Sequence, residues 1–452
     1  MASFLSHFLL PFFLFGLALA ATESGKVGVN YGRIANNLPT PDKVVELLKQ
    51  QSITRVKIFD TDVSVLKAFS NSDISLTVSL PNENLTAASS SQSFTDTWVK
   101  TQILPFHPGS NISAIAVGNE ANTDPNLVPK VVPAMNNMYS SLQKYSISND
   151  IKISSPISYA SLQNSYPPSS GSFKQDLIDP FIKPMLAFLK KTDSFLMVNA
   201  YPFFAYKDNS DQISLDYALF KPNKGNVDSG NGLKYDSLFV AQIDAVYAAM
   251  ALLKYNDLKL VVTETVGASS ENAAAYNGNL VKRVLTGGGT PLRPNDPLDV
   301  YLFALFNENQ KPGPTSERNY GLFYPSEQKV YTIPLTAAQA TRSVAPASAN
   351  NATKAVVPKS GQSWCVANEN AEAKKLQAGL DWACGQGQAD CRPIQPGATC
   401  YNPGSLVAHA SYAFNSYYQM KTRAAGTCDF GGAAHVVTQP PNFGSCKYPT
   451  GN

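Results

Sequence analysis

The sequence predicts a closed (β/α)₈ barrel followed by a small, disulfide-rich, mainly helical domain. From residue 26 onward, short runs of apolar and β-branched residues alternate with longer amphipathic stretches, a pattern typical of parallel strands joined by helices. Eight such runs over about 310 residues match the eight repeats of this TIM-type barrel. All six cysteines lie between Cys365 and Cys446, which indicates a separate, stapled unit at the end of the chain.

This alternation predicts strands at residues 27–31, 55–59, 76–80, 113–117, 151–155, 195–199, 260–263 and 300–306. The predicted helices include residues 41–50, 125–145, 174–190, 237–255 and 272–285. Thr40 and Pro41 suit a helix start, since proline is tolerated at the first helical position. The alternative is an open, doubly wound sheet. That fold usually has a glycine-rich phosphate loop after its first strand, and Tyr31-Gly32-Arg33 is not one.

The N-terminus predicts a secreted protein. Residues 8–20 form an apolar run that ends in Ala18-Leu19-Ala20, so residues 1–20 are interpreted as a signal peptide cleaved after Ala20. A membrane anchor would need about 20 apolar residues, and this run is shorter and contains Pro11. We therefore expect no membrane span and an extracellular or cell-wall location. Glycosylation is predicted at the three sequons, Asn84, Asn111 and Asn351.

The chain after the leader divides into three parts. We predict a barrel domain at residues 21–341, a linker rich in Ala, Ser, Asn and Pro at residues 342–362, and a cysteine-rich module at residues 363–452. The module contains Cys365, Cys384, Cys391, Cys400, Cys428 and Cys446. Six cysteines allow fifteen pairings. The sequence does not decide among them, although proximity favours Cys391 with Cys400.

Composition excludes several kinds of function. The 36 basic and 33 acidic residues nearly balance, which argues against nucleic acid as a partner. With four histidines in all and no cysteine before Cys365, a thiol nucleophile, a Ser-His-Asp triad and a multi-histidine metal centre are poorly supported in the barrel. We expect no metal and no cofactor, so any acid–base chemistry falls to Asp, Glu, Lys or Tyr.

Polar residues stand where the predicted strands end, at the face where this fold carries its active sites. They are Tyr31, Asp60, Asn82, Glu83, Asn119, Glu120, Tyr201, Glu264, Asn307 and Glu308. Glu120 and Glu264 each follow an apolar strand. Two carboxyl groups at one mouth suffice for glycoside hydrolysis, in which one donates a proton and the other attacks or activates water. Any single Glu at such a place is more often a solvated loop residue.

Several segments of the barrel resemble plant β-1,3-glucanases of glycoside hydrolase family 17. They are VNYG at residues 29–32, RVKIFD at 55–60, AVGNE at 116–120, NAYPFF at 199–204, FALFNENQKPG at 303–313 and ERNYGLF at 317–323. The resemblance runs in order over roughly residues 26–335. It implies a retaining endo-hydrolase of β-1,3-glucan, with Glu120 as acid/base and Glu264 as nucleophile. It further implies substrate contacts from Tyr31, Asn119, Tyr201, Glu308, Lys311 and Glu317.

Electrostatics predicts how the two roles are assigned. A lysine near the nucleophile would favour its ionised form, and we expect Lys311 to supply that charge near Glu264. A negative Glu264 would in turn raise the pKa of Glu120 and keep it protonated. Tyr31, Tyr201 and Phe204 are candidates to stack on sugar rings. The alternative for these three residues is ordinary barrel core.

The segment after Glu264 departs from the family pattern. The family continues with Gly-Trp-Pro-Ser and a longer loop, whereas here Glu264 leads into Thr265-Val266-Gly267 and the match resumes from Gly267. Loss of part of the cleft wall suggests an alternative function, a glucan-binding cell-wall protein with weak or no hydrolase activity.

The tail resembles the family 43 carbohydrate-binding module in its segments WCVA at residues 364–367, YAFN at 412–415 and CDFGG at 428–432. The resemblance implies that β-1,3-glucan is the partner of this unit as well. Candidate sugar contacts are the aromatic residues of one predicted helix, Tyr412, Phe414, Tyr417 and Tyr418, whose spacing is equally typical of core. We expect the protein to act as a monomer.

Overall fold

The computed structural model describes residues 24–267, 270–342, 363–368, 371–401, 405–424, 427–437, 441 and 446–450. The described residues fall into two compact units, one before and one after the division at residues 346 and 347, and each has its own apolar core. The predicted signal peptide, residues 343–362 of the predicted linker and the sequon at Asn351 lie outside the described residues. Of the other two sequons, Asn111 is exposed and Asn84 is half-buried in a short 3₁₀ turn.

The first unit is a parallel barrel, as predicted. Its strands are β1 Val27–Tyr31, β2 Arg55–Ile58, β3 Ser75–Leu80, β4 Ile112–Val117, β5 Lys152–Ser154, β6 Pro156–Ser158, β7 Leu162–Asn164, β8 Ser172–Phe173, β9 Leu196–Asn199, β10 Asn226–Val227, β11 Lys234–Tyr235, β12 Leu260–Thr265 and β13 Asp299–Leu302. The barrel strands follow the order β5-β4-β3-β2-β1-β13-β12-β9-β6, and all neighbours are parallel. β5 and β6 are separated only by Ser155, so the two ends of this sheet meet in one interrupted strand and the barrel closes.

Helices connect successive strands. They are α1 Pro41–Gln50, α2 Val63–Ala68, α3 Leu85–Ser90, α4 Gln92–Trp98, α5 Val128–Lys144, α6 Gln175–Leu177, α7 Lys183–Lys191, α8 Pro202–Asp208, α9 Leu215–Ala218, α10 Leu238–Leu252, α11 Ser270–Leu285 and α12 Ala337–Arg342. The helix predicted over residues 174–190 is broken into α6, a π-helical turn at Ile178–Ile182 and α7. Pro180 explains the break, because it lacks the N–H that a continuous helix needs there. No helix among the described residues is both long and apolar enough to span a bilayer.

The period of two along each strand places polar groups inside the barrel. In β2, Val56 and Ile58 belong to the main apolar core, whereas Lys57 between them takes the opposite face and is also fully buried. Asn30, Asn199 and Thr263 are likewise buried polar residues of barrel strands. Buried polar groups need partners, and Lys57 and Asn199 find theirs in the carboxyl groups of Glu264 and Glu120.

The second unit is small and mainly helical. β14 Trp364–Ala367 pairs antiparallel with β15 Ala434–Val437, and both are accompanied by α13 Ala373–Cys384 and α14 Leu406–Met420. Three disulfides join Cys365 to Cys428, Cys384 to Cys391 and Cys400 to Cys446. The favoured pairing of Cys391 with Cys400 is therefore wrong. The chain folds back after α13, where Ala389 N donates to Ala383 O, and this turn brings Cys391 to the helix end at Cys384.

Candidate active site

A cleft of about 680 Å³ opens at the carboxyl ends of the barrel strands. Its lining residues are Gly32, Arg33, Ile34, Phe59, Asp60, Asp62, Asn119, Glu120, Tyr201, Phe204, Glu264, Phe303, Glu308, Lys311, Glu317 and Tyr320. The structure thus brings together all the predicted catalytic and substrate-contact residues except one. Tyr31 is 1% exposed and packs edge-on against Phe306, so it adopts the core alternative instead of offering a ring face to a sugar.

Glu264 lies within β12, where the strand is irregular. The register with β9 pairs Val262 with Val198 and then Glu264 with Asn199, so Thr263 is an extra residue on the β12 side. Such a bulge turns the following side chain relative to the regular alternation. The strand ends at Thr265, two residues beyond the predicted end, and the Glu264 carboxylate lines the cleft.

Both oxygens of the Glu264 carboxylate are bound. Lys57 Nζ lies 2.7 Å from Oε1, and the Tyr201 hydroxyl donates to Oε2 at 2.6 Å. Glu264 is 4% exposed and Lys57 is 0% exposed, so the pair is shielded from water. Burial, reinforced by the charge of Glu264, raises the pKa of Tyr201 well above its usual value, and the phenol stays a donor. A buried charge is tolerated when it is paired and hydrogen-bonded in this way.

The cation paired with Glu264 is Lys57, and not Lys311 as the sequence led us to expect. Lys311 Nζ instead lies 3.3 Å from a Glu317 carboxylate oxygen and 4.0 Å from the centre of the Phe303 ring. A signal for Lys57 was present in the sequence. A lysine in the middle of an apolar strand is almost never fully buried without a partner.

Glu120 is held by an unusual backbone at the end of β4. Gly118 has φ 73° and Glu120 has φ 48°, a left-handed conformation that is uncommon for a residue with a Cβ. Asn82 clamps the residue between them: its Oδ1 accepts from Asn119 N at 2.8 Å, and its Nδ2 donates to Asn119 O at 2.9 Å. Glu120 N donates to Pro156 O at 2.9 Å. Strained backbone fixed from both sides is typical of functional sites.

The Glu120 carboxyl group is placed by Asn199. Asn199 Nδ2 donates to Glu120 Oε1 at 2.8 Å, and Thr263 Oγ1 donates to Asn199 Oδ1 at 2.8 Å, which fixes the orientation of the amide. Burial raises the pKa of Glu120, the Asn199 hydrogen bond opposes that rise, and the negative charge of Glu264 adds to it. The predicted direction of the Glu264 effect is present, although burial is the larger cause.

One lysine connects the two carboxyl groups. Besides Glu264, Lys57 Nζ donates to the side chain of Asn119 at 3.1 Å, and Asn119 directly precedes Glu120. Asn199 makes a second connection, because it pairs in register with Glu264 and binds Glu120 through its side chain. The geometry thus gives one carboxyl group a cation and a phenol, and the other an amide and a nearby negative charge.

The remaining predicted contacts lie around this centre. Glu308 is buried, which raises its pKa, and its Oε1 accepts from Ile34 N at 2.9 Å. Gly32 makes this approach possible, since a Cβ there would lie 2.5 Å from the Glu308 carboxylate oxygens. Phe204 lines the cleft and is exposed, next to Tyr201 at a ring distance of 5.6 Å. It therefore offers a ring to the cleft and is not core.

The described residues on either side of the shortened segment after Glu264 pack closely against each other. Thr265 Oγ1 lies 2.6 Å from the Tyr276 hydroxyl of α11, and a Cβ on Gly267 would lie 2.7 Å from Ala273 Cα. Ala268 and Ser269 lie outside the described residues. Because Lys57 and Tyr201 hold Glu264 independently of this loop, the alternative of a binding protein without activity is not favoured.

No group of three or more His, Cys, Asp or Glu side chains within the described ranges is arranged to hold a metal ion. The acidic side chains of the cleft are paired instead with nitrogen donors of the protein, such as Arg33 Nη2 at 2.6 Å and 2.7 Å from the two Asp60 oxygens.

Comparisons with known proteins agree with this geometry. Residues 27–335 match glycosyl hydrolases family 17, and residues 363–435 match the X8 domain. Glucan endo-1,3-beta-glucosidase 13 of Arabidopsis thaliana is 42% identical over 447 residues, covering 96% of this chain and 87% of that protein. Glucan endo-1,3-beta-D-glucosidase of Olea europaea is 38% identical over 455 residues, covering 98% of this chain and 97% of that protein.

A solved structure shows the same relationship. CJP38, a beta-1,3-glucanase and allergen of Cryptomeria japonica pollen, is 41% identical with a TM-score of 0.66. The match covers 69% of this chain and 99% of that chain. With a matching catalytic-domain family over residues 27–335 and relatives of about 40% identity over nearly its whole length, the chain belongs to glycosyl hydrolases family 17 and carries an X8 domain later in the sequence, at residues 363–435.

Proposed function

We propose that this protein is a secreted endo-hydrolase of β-1,3-glucan that acts with retention of configuration. The observation that carries the proposal is the contrast between two carboxyl groups in one cleft. Glu264 is paired with Lys57, which suits an ionised nucleophile. Glu120 has a raised pKa, which suits a proton donor.

In the first step, the ionised Glu264 oxygen attacks the anomeric carbon and forms a glycosyl ester. The bond from that carbon to the glycosidic oxygen breaks, and Glu120 gives its proton to the departing oxygen. In the second step, water attacks the same carbon, Glu120 takes up a proton from the water, and the ester bond to Glu264 breaks. One water is consumed for each linkage cut, and both carboxyl groups return to their starting states.

Substrate choice is inferred from the relatives, two of which are named as glucan endo-1,3-beta-glucosidases. Asn119, Tyr201, Glu308, Lys311 and Glu317 are proposed to contact sugar hydroxyls, and the exposed ring of Phe204 to pack against a sugar face. The protein is proposed to act as a monomer, with a barrel domain at residues 21–341 and a glucan-binding module at residues 363–452. Secretion is inferred from the apolar leader at residues 1–20.

A reducing-end assay tests the hydrolase proposal. Purified protein is incubated with laminarin and, in parallel, with mixed-linkage glucan and cellulose. We expect new reducing ends from laminarin, and NMR of the first product should show the β-anomer before mutarotation. Correctly folded protein that releases no reducing ends from laminarin would contradict the activity, whereas α-anomer as first product would contradict only the retaining mechanism.

A further inference from the structure

The X8-containing unit has a concave site of its own, far along the chain from the barrel residues. A pocket of about 310 Å³ is lined by Gly379, Trp382, Tyr417, Thr427, Asp429 and Phe430. This volume is near the lower end of the range of small-molecule sites. The pocket draws on α13, the end of α14 and the segment around Cys428, so three parts of the small unit meet in it.

Three aromatic rings form the walls. The ring centres of Trp382 and Tyr417 are 5.0 Å apart with planes at 74°. Phe430 lies 6.0 Å from Trp382 at 71° and 5.7 Å from Tyr417 at 75°. The three planes are close to perpendicular in each pair, so the rings form a corner that lines the pocket.

The corner rests on a rigid base. Phe430 stacks on the fully buried Phe414, with ring centres 4.0 Å apart and planes at 16°. Gly379 permits this arrangement, since a Cβ there would lie 2.8 Å from the Phe414 ring. The disulfide from Cys384 to Cys391 fixes the end of α13 two residues after Trp382. The walls are therefore preformed, which lowers the entropy lost on binding.

Among the three aromatic residues of the pocket, Trp382 has an exposure that packing within the small unit does not explain. It is 41% exposed, whereas the other two tryptophans of the chain, Trp98 and Trp364, are 9% and 2% exposed. Keeping an indole in water forgoes burial that a small domain needs for stability. Trp382 is not isolated, because it lines the pocket together with Tyr417 and Phe430, and contiguous apolar surface bordered by polar residues is typical of a binding site.

The polar residues at the rim restrict the kind of ligand. Asp429 is exposed and supplies carboxylate oxygens, and Thr427 supplies a hydroxyl oxygen. A cation, Lys421 Nζ, lies 5.6 Å from the Tyr417 ring centre. Aromatic faces attract the C–H faces of a pyranose, whose partial positive charge suits the ring quadrupole, while carboxylate and hydroxyl oxygens bind sugar hydroxyls.

We propose that this corner, built on Trp382, Tyr417 and Phe430, binds glucose units of a β-1,3-glucan chain, with Trp382 as the principal contact. The proposal rests on the proposed function, since the same polymer would occupy the barrel cleft. It assigns the binding role to different residues from those the sequence suggested: Tyr412, Phe414 and Tyr418 are buried core, and only Tyr417 reaches the pocket.

Depletion binding to an insoluble β-1,3-glucan tests the proposal on the full chain. Glu264→Gln is present in every variant so that the polymer is not cut during the measurement. Trp382→Ala and Tyr417→Ala should each weaken binding about tenfold. Trp382→Phe should retain most of it, because a ring face remains. Val436→Ala, an exposed apolar residue of the same unit outside the pocket, is the matched control and should bind like the parent.

Fluorescence gives a second readout that does not require the alanine variants to fold. The exposed Trp382 should dominate quenching by acrylamide, because the other two tryptophans are buried. Soluble β-1,3-gluco-oligosaccharide should protect the Glu264→Gln protein from this quenching, because a sugar bound at the pocket covers the exposed indole. Quenching of Trp382 that is unchanged at saturating oligosaccharide would overturn the proposal.

Equal binding of Trp382→Ala and Val436→Ala would also overturn it, and the hydrolase proposal would be untouched by that result. Hydrolysis of laminarin by the native chain is scored separately, so a failure of the barrel chemistry is distinguishable from a failure of this pocket. If the Glu264→Gln protein does not bind insoluble β-1,3-glucan at all, the pocket proposal and the binding half of the proposed function both fail.

Discussion

The barrel and the cysteine-rich unit maintain their folds by different means. The barrel has no cysteine and relies on one large apolar core to which nearly all of its strands and helices contribute buried side chains. The small unit has a much smaller core and three disulfides, which close loops with sequence separations of 63, 7 and 46 residues. A small domain buries a smaller share of its surface, so covalent links supply part of its stability.

The two units also differ in the kind of destabilising residue that each contains. In the barrel these are buried charges, Lys57 and Glu264, which are tolerated because they pair with each other. In the small unit it is an exposed indole, Trp382. The comparison suggests that the barrel's function depends on electrostatics inside a dry site, whereas the small unit's function depends on apolar surface held open.

The largest effect is expected from the nucleophile position. Glu264→Gln should lower kcat on laminarin by about 10⁴-fold, since the amide cannot form the glycosyl ester. Glu83→Gln is the matched control: this exposed carboxylate also follows a barrel strand, yet it does not line the cleft. Comparable losses in both variants would mean that position at a strand end, and not the buried pairing, determines activity.

Removing the buried cation should destabilise the barrel. Lys57→Met leaves the Glu264 carboxylate buried without its counter-ion, which should cost about 3–5 kcal/mol in the free energy of unfolding. Chemical denaturation measures this change, and kcat should fall as well. Lys144→Met is the control, because Lys144 pairs with Asp96 at the surface and should cost little. A small effect of Lys57→Met would show that the pair adds no stability beyond packing.

Disulfide removal should affect only the small unit. Replacing Cys365 and Cys428 by serine opens a loop with a sequence separation of 63 and should lower that unit's stability by about 4 kcal/mol. Replacing Cys384 and Cys391, with a separation of 7, should cost about 2 kcal/mol. Differential scanning calorimetry should show the barrel transition unchanged. A shift of both transitions would mean that the two units unfold together.

The smallest effect concerns pH. Asn199→Ala removes a hydrogen bond that lowers the pKa of Glu120, so the pKa should rise. Because Glu120 must be protonated to act, activity is lost as pH rises through this pKa, and the basic limb of the kcat/KM profile should move to higher pH. The basic limb would move to lower pH if the loss of Asn199 let water reach the carboxyl group.

Prediction succeeded where local pattern is strong. Alternating strands and helices predicted the barrel, and carboxylates after apolar runs predicted that Glu120 and Glu264 lie at one mouth, where both line the same cleft. It failed where residues distant in the chain meet. Lys57 and Glu264 are 207 residues apart, and no local pattern joins them. Cysteine pairing failed for a related reason, since chain proximity ignored the turn after α13 that brings Cys391 back to Cys384.

By itself, the sequence determined a barrel whose chemistry falls to carboxylates and a stapled second unit, because strand period, cysteine positions and histidine scarcity are properties of the linear chain. Only the tertiary structure decided which cation serves Glu264, that Asn199 holds Glu120, that Tyr31 is core and that Trp382 stands open to solvent. These are facts about burial and contact across the closed barrel and the disulfide frame, and they arise only when distant segments pack together.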